Sequence, residues 1–142
     1  MDLARSIASP RRPESDPLLV VKRFDTPEMV LSFDQGRLAL VTLDGRLVGK
    51  GSYRPGWRWS QVTGPARRAG ERPLAQTGVV LSGRAKIQIP GRAEMDLTPG
   101  DFFHVASEYE SWVVGYRPYE VFYFDGMEVL IERLHREGSA HL

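Results

Sequence analysis

The sequence predicts an all-β fold, a sandwich or barrel of short strands with one helix at its end. Three observations predict it. Short runs rich in aliphatic and aromatic residues recur along the chain, turn signals separate them, and helical spacing of apolar residues occurs only near the C-terminus. The 142 residues suffice for a single domain with one substantial core.

The elements follow in order. Residues 1–17 are rich in Ser, Pro and Arg, lack a periodic apolar pattern and read as a disordered tail. The β domain is expected over residues 18–125, opening with LLVVKRF (18–24), an aliphatic run short enough for a strand. RLALVTL, Asp44-Gly45 and RLVGKGSY form the strongest hairpin signal, because Asp-Gly supplies the positive φ that a two-residue turn needs. WRWSQVT reads as a strand and GPARRAGERP (64–73) as a loop. QTGVVLS, Gly83-Arg84 and AKIQI read as a second hairpin. Pro90-Gly91 then turns the chain into RAEMDLT, Pro99-Gly100-Asp101 turns it into FFHVA, and WVVGY and EVFYF complete the strands. Over residues 126–142, Met127, Leu130, Ile131 and Leu134 share one helical face, with Gly138 as the expected stop before a short tail.

Composition excludes several classes of function. Nineteen basic against eighteen acidic residues leave a net charge of +1, too balanced for a dedicated nucleic-acid surface. With no cysteine, disulfides, thiolate metal sites and cysteine nucleophiles are ruled out. The chain carries no apolar run of the ~18 residues a membrane helix needs. It also lacks the apolar block of a secretory leader, so a cytoplasmic protein without a membrane partner is expected.

Between residues 55 and 116 the phrases PGWRWS, TG-x-V-L-SGR, PGD and WVVG stand in an order that resembles the cupins, small jelly-roll barrels with two short motifs. The resemblance spans most of residues 21–124 and implies a cupin-type jelly-roll β-barrel. It also implies a homodimer, and a metal held by two histidines, an acidic residue and a later histidine. In this sequence those positions fall on Val62 and Gly64, on Gln76, and on Tyr109 or Ser111. The chain has three histidines, His104, His135 and His141, of which only the first lies in a barrel strand. The expectation is therefore a barrel without a tightly bound metal or other cofactor, acting on a small anionic or oxygenated molecule.

Candidate residues follow from position. If Val62 points inward as its counterpart does in the relatives, strand alternation turns Arg58 and Ser60 inward and Trp57 and Trp59 outward. An inward Arg58 would clamp a ligand carboxylate or phosphate; otherwise it pairs with an internal acid, or a bulge turns it outward. Gln76, Ser60 and Ser111 would orient the ligand, and Tyr109 would donate a proton. Gln76 and Tyr109 could equally fill the space that the metal vacated. His104 is the candidate base, with Glu108 or Glu110 nearby, though alternation allows it either face. Three functions remain open on this reading: acid–base chemistry of an isomerase, cyclase or lyase type; ligand binding or sensing without turnover; and a metal enzyme with donors such as His104, Glu108 and Gln76.

Overall fold

The computed structural model describes residues 18–63 and 74–141, with side chains as far as His135. The tail read over 1–17 and the loop read over 64–73, with Arg67, Arg68 and Arg72, lie outside the described residues, as do Gly64 and the side chain of His141.

The first paired segment is β1 (Met29–Phe33), joined to β2 (Gly36–Leu43) and β3 (Arg46–Tyr53) in an antiparallel meander. The β2–β3 hairpin is the expected one. Asp44 and Gly45 take φ of 50° and 74°, the two positive values of a tight primed turn whose twist matches that of the strands. The strand expected over 18–24 is not formed. Leu18, Leu19 and Val21 are exposed there, and Phe24 packs edge-on against Phe122 on the outer face of the sheet. An aliphatic run forms a strand only where a neighbour offers ladder partners, and MVLSF has β2 beside it.

WRWSQVT is also not a strand. A single bridge pairs Arg58 with Trp112, and the chain then coils into the short helix α1 (Ser60–Thr63). The remaining strands are β4 (Gln76–Ser82), β5 (Arg84–Gln88), β6 (Met95–Leu97), β7 (Phe102–Val105), β8 (Glu110–Val114) and β9 (Tyr119–Asp125). They complete a six-stranded sheet in the order β1-β2-β3-β9-β4-β7 and a three-stranded sheet in the order β6-β5-β8. The second expected hairpin is thus absent: β4 pairs with β7 and β9, whereas β5 pairs with β6 and β8. Gly83 is the corner at which the chain leaves one sheet for the other. Its φ is 74°, and a Cβ there would lie 2.1 Å from the carbonyl oxygen of Pro118.

The two sheets share one core. Leu38, Leu40, Val80 and Val121 project from the large sheet and Ala85 and Leu97 from the small one, with Ile87 and Val113 packed against them. Alternation is plain in β9, where Tyr119, Val121 and Tyr123 are buried while Glu120, Phe122 and Phe124 take the opposite face. Trp57, Trp59, Val62 and Leu74 join this core, as do Met127 and Leu130 of helix α2 (Met127–His141). The helix continues past Gly138, the expected stop, to His141.

Two ties fix α2 to the sheets. Glu128 accepts a hydrogen bond from the Leu47 amide at 2.8 Å. Arg133, 2% exposed, donates from Nη2 to Glu108 Oε1 at 3.0 Å and from Nη1 to Oε2 at 3.3 Å. A buried guanidinium needs such a fork of carboxylate oxygens to offset its lost hydration.

Candidate ligand site

The interior holds a knot of aromatic rings around one amide. Tyr53 stacks on Trp57 with centroids 3.6 Å apart, and Trp59 stacks on Tyr109 at 5.7 Å. Tyr53 and Tyr123 share a hydroxyl–hydroxyl hydrogen bond at 3.2 Å. The Tyr109 hydroxyl donates to Oε1 of Gln76, which is fully buried. Burial raises the phenol pKa values of Tyr53, Tyr109, Tyr119 and Tyr123, and neighbouring phenols add to the effect at the last three. These groups are neutral hydrogen-bonding hydroxyls across the ordinary pH range. Among the described residues, Gln76 Nε2, Trp57 Nε1 and Trp59 Nε1 are buried donors without an acceptor. A buried N–H left unpaired costs roughly 1–3 kcal/mol, so each is a demand for an acceptor oxygen.

Beside this knot the jelly roll is open. β6 and β7 leave the turn Thr98–Asp101 in different sheets, and their outer edges find no strand partner among the described residues. Between them lies a groove of about 540 Å³. Ile87, Leu97, Phe103 and Val105 form its apolar wall, and Arg92, Asp96, Asp101 and His104 stand among its polar groups. Val105, in the groove wall, is the register partner of Gln76 and both side chains take the inner face, while Gln76 itself is fully buried behind the groove's lining.

The expected site residues divide into two groups. Gln76 and Tyr109 meet through a hydrogen bond. Ser111 is buried, but its hydroxyl donates to the Lys86 carbonyl at 2.7 Å and serves the small sheet. Arg58 and Ser60 do not face the interior. The Arg58 side chain is 55% exposed, lies over the Trp112 ring at 5.1 Å and has Glu110 at 3.9 Å. Ser60 is exposed and gives its amide to Glu110 Oε1 at 3.0 Å. The inward residues are Trp57 and Trp59, which were expected outside. The reason is the helical turn: alternation counted back from Val62 crosses α1, where residues three apart share a face, so Val62 aligns with Trp59. Replacing Arg58 with Ala is accordingly expected to cost no more than about 1 kcal/mol in urea unfolding, the worth of an exposed ion pair and ring contact.

His104 lies on the outer face of β7 and at the lip of the groove, with Nδ1 2.8 Å from the Thr77 hydroxyl. The acids expected near it are committed elsewhere, Glu108 to Arg133 and Glu110 to the Ser60 and Ser111 amides. No local pattern in the sequence reveals the groove, because none shows that two strands joined by a tight turn belong to different sheets.

The Tyr109–Gln76 bond gives a direct test of the knot. Tyr109→Phe removes the donor and leaves Gln76 Oε1 buried without one. A loss of about 1–3 kcal/mol is expected by urea denaturation, several-fold more than an exposed hydroxyl would cost.

The residues at the positions where the resemblance would put a metal do not fit an ion of the iron, manganese, nickel or zinc type. Val62 offers no donor and is packed in the core. Gln76 Oε1 is taken by Tyr109, and burial holds the Tyr109 phenol away from the phenolate a metal would bind. Among the described residues no three His, Asp or Glu side chains gather in metal-binding proximity.

The sequence matches no established protein-family profile and no curated protein. Its likeness to solved structures is one of fold. A protein of unknown function from Vibrio parahaemolyticus superposes with a TM-score of 0.51 at 16% identity, over 67% of this chain and 94% of that one. A DUF1255 protein of unknown function from Acidithiobacillus ferrooxidans gives 0.50 at 21% identity, over 70% and 88%. The two open antiparallel sheets around one core are a cupin-type jelly roll. In particular, the fold is similar to that of KdgF from Halomonas sp., with a TM-score of 0.51 at 16% identity over 70% of this chain and 86% of that one. No helix among the described residues is long and apolar enough to cross a membrane.

Proposed function

We propose that this chain is a small-molecule-binding jelly roll that works without a resident metal. Its ligand enters through the seam between β6 and β7 and lays an apolar body on Ile87, Leu97, Phe103 and Val105. An acceptor oxygen of the ligand, a carboxylate or carbonyl, then reaches the Gln76 amide. The single observation that carries this reading is Gln76 itself: fully buried, its oxygen engaged by Tyr109, its Nε2 without an acceptor, and its register partner Val105 in the wall of the groove. The volume of the groove, about 540 Å³, falls within the roughly 300–1,000 Å³ usual for ligand pockets. Binding or sensing without turnover is the better supported reading, because the inner phenols resist ionisation and, among the described residues, no acid–base pair stands beside them. Turnover is favoured by one feature, the placement of His104 on the rim, where it could move a proton at a ligand held in the groove.

The test is a titration of purified protein with short-chain carboxylates and lactones, read by thermal shift and by fluorescence of the buried tryptophans. It is paired with native mass spectrometry for a co-purifying small molecule. Saturable binding that Gln76→Met weakens at least tenfold, with the fold intact by circular dichroism, supports the proposal. If no probe binds and no molecule co-purifies, or if Gln76→Met binds as well as the parent, the proposal fails.

The homodimer belongs to the same proposal. We place its contact on the outer face of the large sheet, where Phe24, Phe122, Phe124 and Phe102 form a run of ring contacts at 5.8, 5.9 and 6.4 Å and Phe102 is 74% exposed. Sedimentation should show a dimer at micromolar concentration that Phe102→Glu converts to monomer. A monomeric parent protein would refute it.

A further inference from the structure

The end of the jelly roll opposite helix α2 carries a second cavity, unrelated to the seam. Its volume is about 470 Å³, and its walls come from three separate places: the β4–β5 corner at Gly83 and Arg84, the β6–β7 turn at Pro99, and the loop after β8 that bears Tyr116 and Arg117. Two arginines line it and no acidic residue does. Among the described residues neither the Arg84 nor the Arg117 guanidinium makes a hydrogen bond or an ion pair. In a chain of net charge +1 this is a local concentration of positive charge held around a concave surface.

The backbones that carry the two arginines are packed against one another. The Gly83 corner sits so close to the carbonyl of Pro118 that a Cβ would meet it at 2.1 Å, so the strand carrying Arg84 and the loop carrying Arg117 are packed backbone to backbone. Beside them Tyr116 is 98% exposed, an aromatic ring that serves no packing purpose in the described structure. Guanidinium groups pair with carboxylate or phosphate in a planar fork, and an exposed phenol ring offers a face for another planar group to stack on.

We propose that this cavity is a binding site for a small planar anion: Arg84 and Arg117 hold its carboxylate or phosphate, and the Tyr116 ring stacks on its flat body. The site lies outside the sandwich interior, so it is independent of the seam groove and of the Gln76 amide.

Three probes separate the parts of this claim: phenyl phosphate carries both ring and phosphate, benzoate carries ring and carboxylate, and inorganic phosphate carries charge alone. Amide chemical-shift titrations of the full chain should show saturable perturbations at Gly83, Gly115 and Arg117 with phenyl phosphate or benzoate. The tighter of the two identifies the anionic group. Arg84→Gln/Arg117→Gln should weaken binding at least tenfold, and added salt should weaken it in the parent. Tyr116→Ala should weaken the aromatic probes several-fold and leave inorganic phosphate unchanged. All three side chains are exposed, so the variants are expected to keep the parent's melting temperature, which checks that affinity and not folding has changed. Absence of saturable binding by both aromatic probes overturns the proposal. So does an affinity unchanged in the double variant, or inorganic phosphate binding as tightly as phenyl phosphate. The Gln76→Met variant should bind these probes normally, which keeps failure here distinct from failure of the seam proposal.

Discussion

Raising the pH above about 10 is expected to unfold this protein abruptly, with its buried tyrosines ionising as the structure is lost. Four of the five tyrosines, Tyr53, Tyr109, Tyr119 and Tyr123, have phenols whose pKa is raised, first by burial and then, for the last three, by one another. Below the ordinary phenol value near 10 they are protonated in both the folded and the unfolded chain, so the folded state keeps its full advantage. Above it the unfolded chain releases these protons while the folded chain retains them. Unfolding is then coupled to proton loss, and stability falls as pH rises from about 10 toward the folded-state values. Each phenol contributes roughly 1.4 kcal/mol per pH unit, so four together remove about 5–6 kcal/mol per unit. A typical reserve of about 5–15 kcal/mol is exhausted within one to three units. Tyrosinate absorbance should therefore rise together with the loss of near-ultraviolet circular dichroism. If the phenols titrate one by one while the native dichroism persists, they are not buried as described.

Gly83→Ala is expected to have the largest effect of any single substitution considered, a loss of at least about 4 kcal/mol or failure to fold. A left-handed φ of 74° costs an alanine roughly 1–2 kcal/mol by itself. The methyl group would also lie 2.1 Å from the Pro118 carbonyl oxygen, a rigid backbone atom, so the corner between the sheets must move away from the β8–β9 loop. Gly91→Ala is the matched control. Its φ is 81°, but nothing lies within 4 Å of the added atom, so only the backbone cost of about 1 kcal/mol is expected. Equal losses in the two variants by urea denaturation would show that the corner is not packed as described.

These two cases also show where sequence reasoning succeeds. The β2–β3 hairpin was legible because its cause is local: Asp44 and Gly45 accept positive φ, and the flanking runs pair with their immediate neighbours. The same logic applied to Gly83 gave a hairpin that does not exist. A glycine with positive φ can close a turn or send the chain to another sheet, and only the distant strands β7, β8 and β9 decide which. Gln76 and Tyr109 were named together only through the resemblance, and their hydrogen bond joins residues 33 positions apart in the chain. Arg58 was misplaced because its orientation depended on an extended backbone that gives way to α1. The seam groove and the arginine cavity were invisible for a further reason: their walls come from segments brought together only by the crossing of the two sheets.

By itself the sequence determined the β class of the fold, the hairpin at Asp44-Gly45 and the terminal helix, all of which depend on residue type and short-range geometry. Tertiary structure alone decided which strands share a sheet, which way Trp57, Trp59 and Arg58 point, and where cavities open. Those outcomes are set by non-local pairing and burial, where a ladder partner or an apolar wall many residues away outweighs any preference of the local chain.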